Sequence, residues 1–170
     1  MYMIVQKCSL WNVAEIFFKE PTKVHFIQGI SKKIKLAPTS VKKHIQTLAE
    51  MGLIEKTKTE VFVGYKAKRE NPEFIFHKKI SNLISLHSSG IIEYLKEHYP
   101  KSVILFGSYA KGEDIETSDI DLFIEFKKFK INLEKFEKLL KRSIHILFKE
   151  EASKSILESI NQGEILYGER

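Results

Sequence analysis

One stretch of the chain constrains it more than any other. Val103-Ile-Leu-Phe106 leads into Gly107-Ser108, ten residues follow, and Asp119-Ile120-Asp121 opens a second apolar segment that ends at Phe126. The first run reads as a buried strand. Glycine lets a phosphate come close to the backbone, and a serine hydroxyl can hydrogen-bond a phosphate oxygen. A helix starting at this point would present amide groups that favour an anion. In the second segment, alternation places Ile120, Leu122, Ile124 and Phe126 on one strand face and both aspartates on the other. Two carboxylates on one face repel unless a cation lies between them. A hard divalent ion such as Mg²⁺ suits them, because it favours carboxylate and phosphate oxygens. Such an ion can bridge a triphosphate and activate an incoming hydroxyl.

Gly107-Ser108, ten residues and Asp119-x-Asp121, with Lys111-Gly112 and Ser118 in between, resembles the DNA polymerase β-type nucleotidyltransferase superfamily in its minimal nucleotidyltransferase branch. The resemblance covers residues 88–170. It includes Ile160-Asn-Gln-Gly163-Glu-Ile-Leu-Tyr167-Gly168, which is similar to the closing segment of that branch. It implies a small mixed sheet flanked by helices. Gly107, Ser108, Lys111 and Ser118 would meet the nucleotide; Asp119 and Asp121 would be catalytic and hold Mg²⁺, or Mn²⁺. A nucleoside monophosphate, AMP first among them, would pass from ATP or another nucleoside triphosphate to an acceptor hydroxyl, releasing pyrophosphate. Superfamily members modify nucleic acids, small molecules or protein side chains. Some prokaryotic ones act as antitoxins that adenylylate a helical HEPN-family ribonuclease partner.

The chain departs from the family pattern at one place. Active members use a third carboxylate on a later strand, and here that strand reads Ser143-Ile-His145-Ile-Leu-Phe148. Ile144, Ile146 and Phe148 point one way, Ser143 and His145 the other. His145 stands where the family has aspartate, and imidazole suits Zn²⁺ or Mn²⁺ better than Mg²⁺. Three readings stay open. His145 itself could be a base or metal ligand. Another acid, Glu125 or Glu134, could substitute, although Glu125 lies roughly 13 Å along the strand from Asp121. The site could also be weakened, leaving a DNA-binding regulator or an antitoxin-type partner protein.

The N-terminal part differs in charge. Residues 1–70 carry 13 Lys+Arg against 6 Asp+Glu, an excess of seven, whereas residues 71–170 carry 15 against 16. Such asymmetry points to a nucleic-acid-facing module joined to a neutral one. Leu10, Val13, Ile16 and Phe17 recur at helical spacing and predict a helix over 9–19, ended by Pro21. A second helix fits 23–34. A turn at 36–40 ends in helix-capping residues. A third helix runs from Val41 to about Met51, with Val41, Ile45, Leu48 and Met51 inside and Gly52 as its left-handed stop. Lys42, Lys43, Gln46 and Thr47 form its outer face, donors suited to phosphates and base edges. The stretch Leu53–Tyr65 reads as a β-hairpin turning at Lys58–Glu60. Three short helices followed by a basic hairpin resemble a winged helix-turn-helix domain over residues 8–69. That resemblance implies that Ser40, Lys42, Lys43 and Gln46 face DNA, with Lys56 and Lys58 on the wing. The bland alternative is the same fold used for protein contacts.

The expected architecture is α+β. A winged helix-turn-helix domain over 1–70 precedes a helical connector over 71–87 and a small mixed-sheet nucleotidyltransferase domain over 88–170. The connector, with Phe74, Ile75, Phe76, Ile80, Leu83 and Ile84 apolar, is expected to pack between domains or in a homodimer, with a ligand groove as the alternative. Ser88-Ser89-Gly90 breaks it, and a helix resumes from Ile91 to His98. The Lys127–Lys130 stretch begins a solvated loop. Cys8 is the only cysteine, so no internal disulfide or Cys-rich zinc site forms. It is expected to be a small buried residue. The other histidines lack metal-site spacing and are expected at surfaces and helix ends. No apolar run approaches the roughly 20 residues of a membrane span and no secretory signal is visible. A reducing cytoplasmic setting is the default.

Overall fold

A computed structural model of the protein describes residues 8–58 and 62–169. The chain forms two compact units, divided between Ser81 and Asn82.

The first unit holds three helices, α1 (Ser9–Lys19), α2 (Ile27–Ile34) and α3 (Pro38–Glu50), followed by strands β1 (Ile54–Lys58) and β2 (Val63–Ala67). The strands pair antiparallel as the sequence suggested; the expected turn at Lys58–Glu60 falls largely outside the described residues. Val13, Ile16 and Phe17 of α1 are buried with Ile30, Val41, Ile45 and Leu48 in one core. Each fully buried side chain of this size stabilises by about 1.5–3 kcal/mol relative to exposure.

Two helix starts differ from the sequence reading. The second helix begins at Ile27 rather than at residue 23, because the backbone of His25 is engaged elsewhere. Its N–H donates to the Tyr65 carbonyl and its carbonyl accepts the Tyr65 N–H, both at 2.8 Å. Gly64 permits this approach, since a Cβ there would lie 2.4 Å from Val24 Cγ1. The third helix begins at Pro38, not Val41. Proline sits at its first turn, where a missing N–H costs nothing, so Thr39 and Ser40 lie inside the helix and do not cap it. Its C-terminus behaves as expected. Gly52 has φ +73°, its N–H donates to the Ala49 carbonyl, and Leu53 N–H donates to Leu48 O, which is the Schellman pattern. Met51, expected inside, is 47% exposed, because it caps the helix and the stripe ends at Leu48. Cys8, expected to be buried, is exposed at the start of α1.

Helix α4 (Pro72–Ser89) crosses the division and continues past the expected end of the connector. Phe74 belongs to the core of the first unit and Leu86 to that of the second. Lys78, although buried, donates from Nζ to the Phe18 carbonyl at 2.8 Å. The second unit continues with α5 (Ile91–Lys96), β3 (Ser102–Phe106), α6 (Gly107–Lys111), β4 (Ile120–Ile124), α7 (Glu134–Leu140), β5 (Ile144–Phe148), a 3₁₀ turn at Lys149–Glu151, α8 (Lys154–Asn161) and β6 (Glu164–Gly168). The strand order is β5-β4-β3-β6. β3 is antiparallel to β4 and β6, and β4 is parallel to β5, so the sheet is mixed.

Both faces of this sheet are covered. One core joins Leu86, Ile91, Ile92 and Leu95 to Val103, Leu105, Ile120, Leu122 and Ile124. A smaller one on the other face joins Ile104, Phe106, Phe123 and Ile160. Phe126 departs from the expected stripe and is 40% exposed, because β4 ends at Ile124 and the alternation ends with it. Among the described residues, no helix is long and apolar enough to cross a membrane.

Candidate active site

Three neighbouring strands place the site. Phe106 on β3 pairs with Asp121 on β4, and Asp121 pairs with His145 on β5. The residues that follow Phe106, the second aspartate and the histidine therefore share one end of the sheet. Gly107 has φ +75°, which turns the chain from β3 directly into α6. A Cβ on Gly107 would lie 2.5 Å from Asp121 Oδ2. Glycine is thus required both by the backbone conformation and by the carboxylate pressed against it. The glycine of the phosphate-loop candidate and the second aspartate of the acidic candidate thus lie against each other.

Asp121 is partly buried and Asp119, just ahead of β4, is exposed. Burial pushes the Asp121 carboxyl up from its ordinary value. A nearby His145 works against this rise and the charge of Asp119 adds to it. His145 Nδ1 stands 3.8 Å from Asp121 Oδ1, on a side chain 82% exposed. It occupies the position expected for it.

The donor set fits a divalent cation. Asp119 and Asp121 offer anionic oxygens, and a cation would offset the burial that chiefly raises Asp121 as well as the smaller effect of Asp119. Among the described residues, no group of three or more His, Cys, Asp or Glu could hold a metal ion. Two aspartates would need further ligands, such as phosphate oxygens of a substrate.

The remaining candidates have distinct settings. Ser108 is half-buried in the first turn of α6. That helix has only five residues, so its dipole is small, and any anion would rest on individual N–H groups and the Ser108 hydroxyl. Lys111 is exposed in its last turn, and Gly112 ends it with φ +76°. Ser118 Oγ accepts the Ile115 N–H at 2.9 Å, so this hydroxyl shapes the turn before Asp119. Glu125 and Glu134 are engaged away from the aspartates. Glu125 Oε1 accepts from Lys149 Nζ at 2.9 Å and Lys101 Nζ at 3.4 Å. Glu134 is bonded to Lys138 on the surface of α7. In the first unit, Lys42, Lys43 and Gln46 are exposed on α3 and Ser40 is half-buried. Gln46 Nε2 donates to Glu50 Oε1 at 3.1 Å. Lys56 and Lys58 are exposed on β1.

Sequence reasoning missed a buried polar cluster of Asn82, Asp114 and Arg142 beside the site. No spacing signals it, since its members lie 32 and 28 residues apart and meet only in the fold. His25 and His98, expected at surfaces or helix ends, are both partly exposed and lie two residues from a helix end. His25 packs edge-on against Phe17 at 4.9 Å and His98 stacks on Phe129 at 4.4 Å.

A family model described as "Nucleotidyltransferase domain" matches residues 88–165. Three Methanocaldococcus jannaschii proteins, each named "Putative protein adenylyltransferase", are similar to parts of the chain. MJ1379 is 32% identical over 43% of this chain and 82% of its own length. MJ0435 is 38% identical over 34% of this chain and 68% of its own. MJ1215 is 54% identical over 25% of this chain, and the match spans about half (51%) of that relative. Among solved structures, a single-residue mutant of Lactococcus lactis ZitR aligns at TM-score 0.41 and 17% identity, covering 51% of this chain and 60% of the other. A likeness that slight carries no argument. The chain belongs to the nucleotidyltransferase-domain family.

Proposed function

We propose that the second unit transfers AMP from ATP to a hydroxyl group on a protein side chain, the first unit being a winged helix-turn-helix that binds DNA. One observation carries the enzymatic half: Gly107, the candidate phosphate turn, lies against Asp121, so the phosphate and the acids would meet in one place. The names of the similar proteins supply the adenylyl group and the protein acceptor. A HEPN-type helical protein is the acceptor we favour from the superfamily resemblance.

In this reading Asp119 and Asp121 hold Mg²⁺ or Mn²⁺, which when bound neutralises charge on the phosphate oxygens. The Ser108 hydroxyl and nearby backbone N–H groups orient the triphosphate, and Lys111 adds a positive charge at the end of α6. The acceptor oxygen attacks the α-phosphorus; the bond to the β-phosphate oxygen breaks and pyrophosphate leaves. The imidazole of His145, beside Asp121, takes the acceptor's proton. The decisive experiment is label transfer from α-labelled ATP to the chain itself or to a co-purified partner. We expect labelled protein and pyrophosphate with Mg²⁺ or Mn²⁺; absence of both, with every nucleotide tried, overturns the reading.

The exposed His145 in place of a carboxylate favours a second reading, in which turnover is weak and the chain acts chiefly as a DNA-binding regulator or antitoxin-type partner. Both readings share the DNA contact. The basic α3 face and hairpin lysines support it, and neutralised phosphates give salt-sensitive affinity. Replacing Lys42 and Lys43 with alanine should lower the salt slope of duplex binding by about two. Wild-type protein that ignores duplex DNA at low salt would remove this half.

A further inference from the structure

We infer that Arg142 and Asp114 are positioning residues for the site, a buried clasp that fixes the two segments delivering Asp119 and His145 to adjacent parallel strands; this role rests on the nucleotidyl-transfer reading above. Residues 113–119 lead from α6 to β4 without any regular element. Loops of this kind are commonly mobile, yet Asp114 within it is 1% exposed. Arg142, two residues ahead of β5, reaches it from the other segment. Its Nη2 lies 3.3 Å from Asp114 Oδ2 and its Nη1 donates to the Ile115 carbonyl. One planar guanidinium thus spans two consecutive loop residues.

The surrounding bonds lock both partners. Asn82 Nδ2 donates to Asp114 Oδ1 at 2.7 Å and to the Tyr109 carbonyl at 2.9 Å, tying the loop to α6. Ser118 closes the turn through its bond from Ile115 N–H. On the other side, Arg142 N–H donates to the Glu137 carbonyl, and Glu137 Oε1 accepts the Ile144 N–H at 2.9 Å. Ile120 N–H then donates to Ser143 O at 2.9 Å, which starts the β4–β5 ladder.

A buried ion pair is a weak source of stability, because desolvation offsets most of its attraction. What a guanidinium fork supplies is direction, with two N–H vectors fixed in one plane. Here those vectors set the loop shortly ahead of Asp119, from a segment shortly ahead of His145. Site groups must be held within about 0.5 Å to work, and this loop has no helix or strand to do so.

The test uses the full chain with Arg142→Lys, which keeps the charge and loses the fork. We expect amide exchange in residues 113–119 to speed up while β3 and β4 stay protected. Mn²⁺ affinity should fall by about tenfold, the scale of second-sphere effects on metal ligands, and kcat should fall more than KM for ATP rises. In an Asp119→Ala background the same change should cost no further Mn²⁺ affinity, because the clasp acts through Asp119. Should Arg142→Lys not fold, Asp114→Leu with Arg142→Met removes both charges of the pair and should show the same losses. Unchanged Mn²⁺ affinity and kcat in a folded variant, or an equal loss without Asp119, overturns the positioning role alone. A wild-type chain that neither binds Mn²⁺ nor transfers label overturns the transfer reading and the role together.

Discussion

Strand β4 leads to a carboxylate at each end of one sheet face, and the two ends are treated in opposite ways. Glu125, just past the last residue, receives Lys149, Lys101 and the Ser102 hydroxyl. The Lys149 hydrogen bond holds its carboxyl below the ordinary range, with Lys101 adding to the effect. Asp121, at the other end, is pushed up by burial and by Asp119, with only the nearby His145 opposing. A charge matched by lysines within the fold is structural. Asp121 is instead raised by burial beside a glycine turn, with no lysine bonded to it among the described residues.

Exchanging each carboxylate for its amide breaks or sharpens this contrast. Asp121→Asn has the largest expected effect: label transfer falls by at least about a hundredfold, the scale on which single electrostatic groups act in active sites. In ion-free buffer the same variant should melt slightly above wild type. The sign follows from the raised carboxyl. Its contribution to stability is present below the ordinary aspartate value and is lost as pH rises through the raised one, so the gap should close on acidification. A melting temperature that drops on this substitution would make Asp121 another Glu125.

Glu125→Gln should do the reverse. Transfer should stay within about twofold of wild type, while stability falls on the order of 1 kcal/mol, discounted for solvent screening. Urea unfolding beside the transfer assay separates the two. A hundredfold loss of transfer would bring Glu125 into the site and restore a third carboxylate.

The smallest expected effect lies in the first unit. Bonds from Lys23 and Lys33 lower the Glu20 carboxyl from 4.5 to about 2. Because this value is depressed, the stabilisation is present above pH 4.5 and is lost as pH falls toward 2. Glu20→Gln should therefore cost on the order of 1 kcal/mol at neutral pH, and only a minor part of that near pH 2. Melting curves between about pH 2 and pH 6 measure it. A cost independent of pH would mean that Glu20 acts by packing.

Much of the site was readable because it depends on local rules. The period of two along a strand set His145 apart from Ile144 and Ile146, and it put Asp121 on the face away from Ile120 and Leu122; Asp119 lies just ahead of the strand. The Gly-Ser pair after an apolar run marked the turn. Helix ends were less readable where a distant backbone intervened, as at His25, which pairs with Tyr65 instead of starting a helix. Phe123 escaped notice because alternation marks two faces without saying that both are covered. The Asn82–Asp114–Arg142 cluster had no local signal at all.

By itself the sequence determined the α+β composition, the strand faces, the position of the glycine turn and the identity of the acids, since all of these follow from neighbours in the chain. Only the tertiary structure decided which residues meet across the sheet. Strand order placed Phe106, Asp121 and His145 in one row, gave Glu125 its two lysines, and buried Arg142 against Asp114. Pairing between distant segments is set by the packing of the whole core, and no short stretch of sequence contains that information.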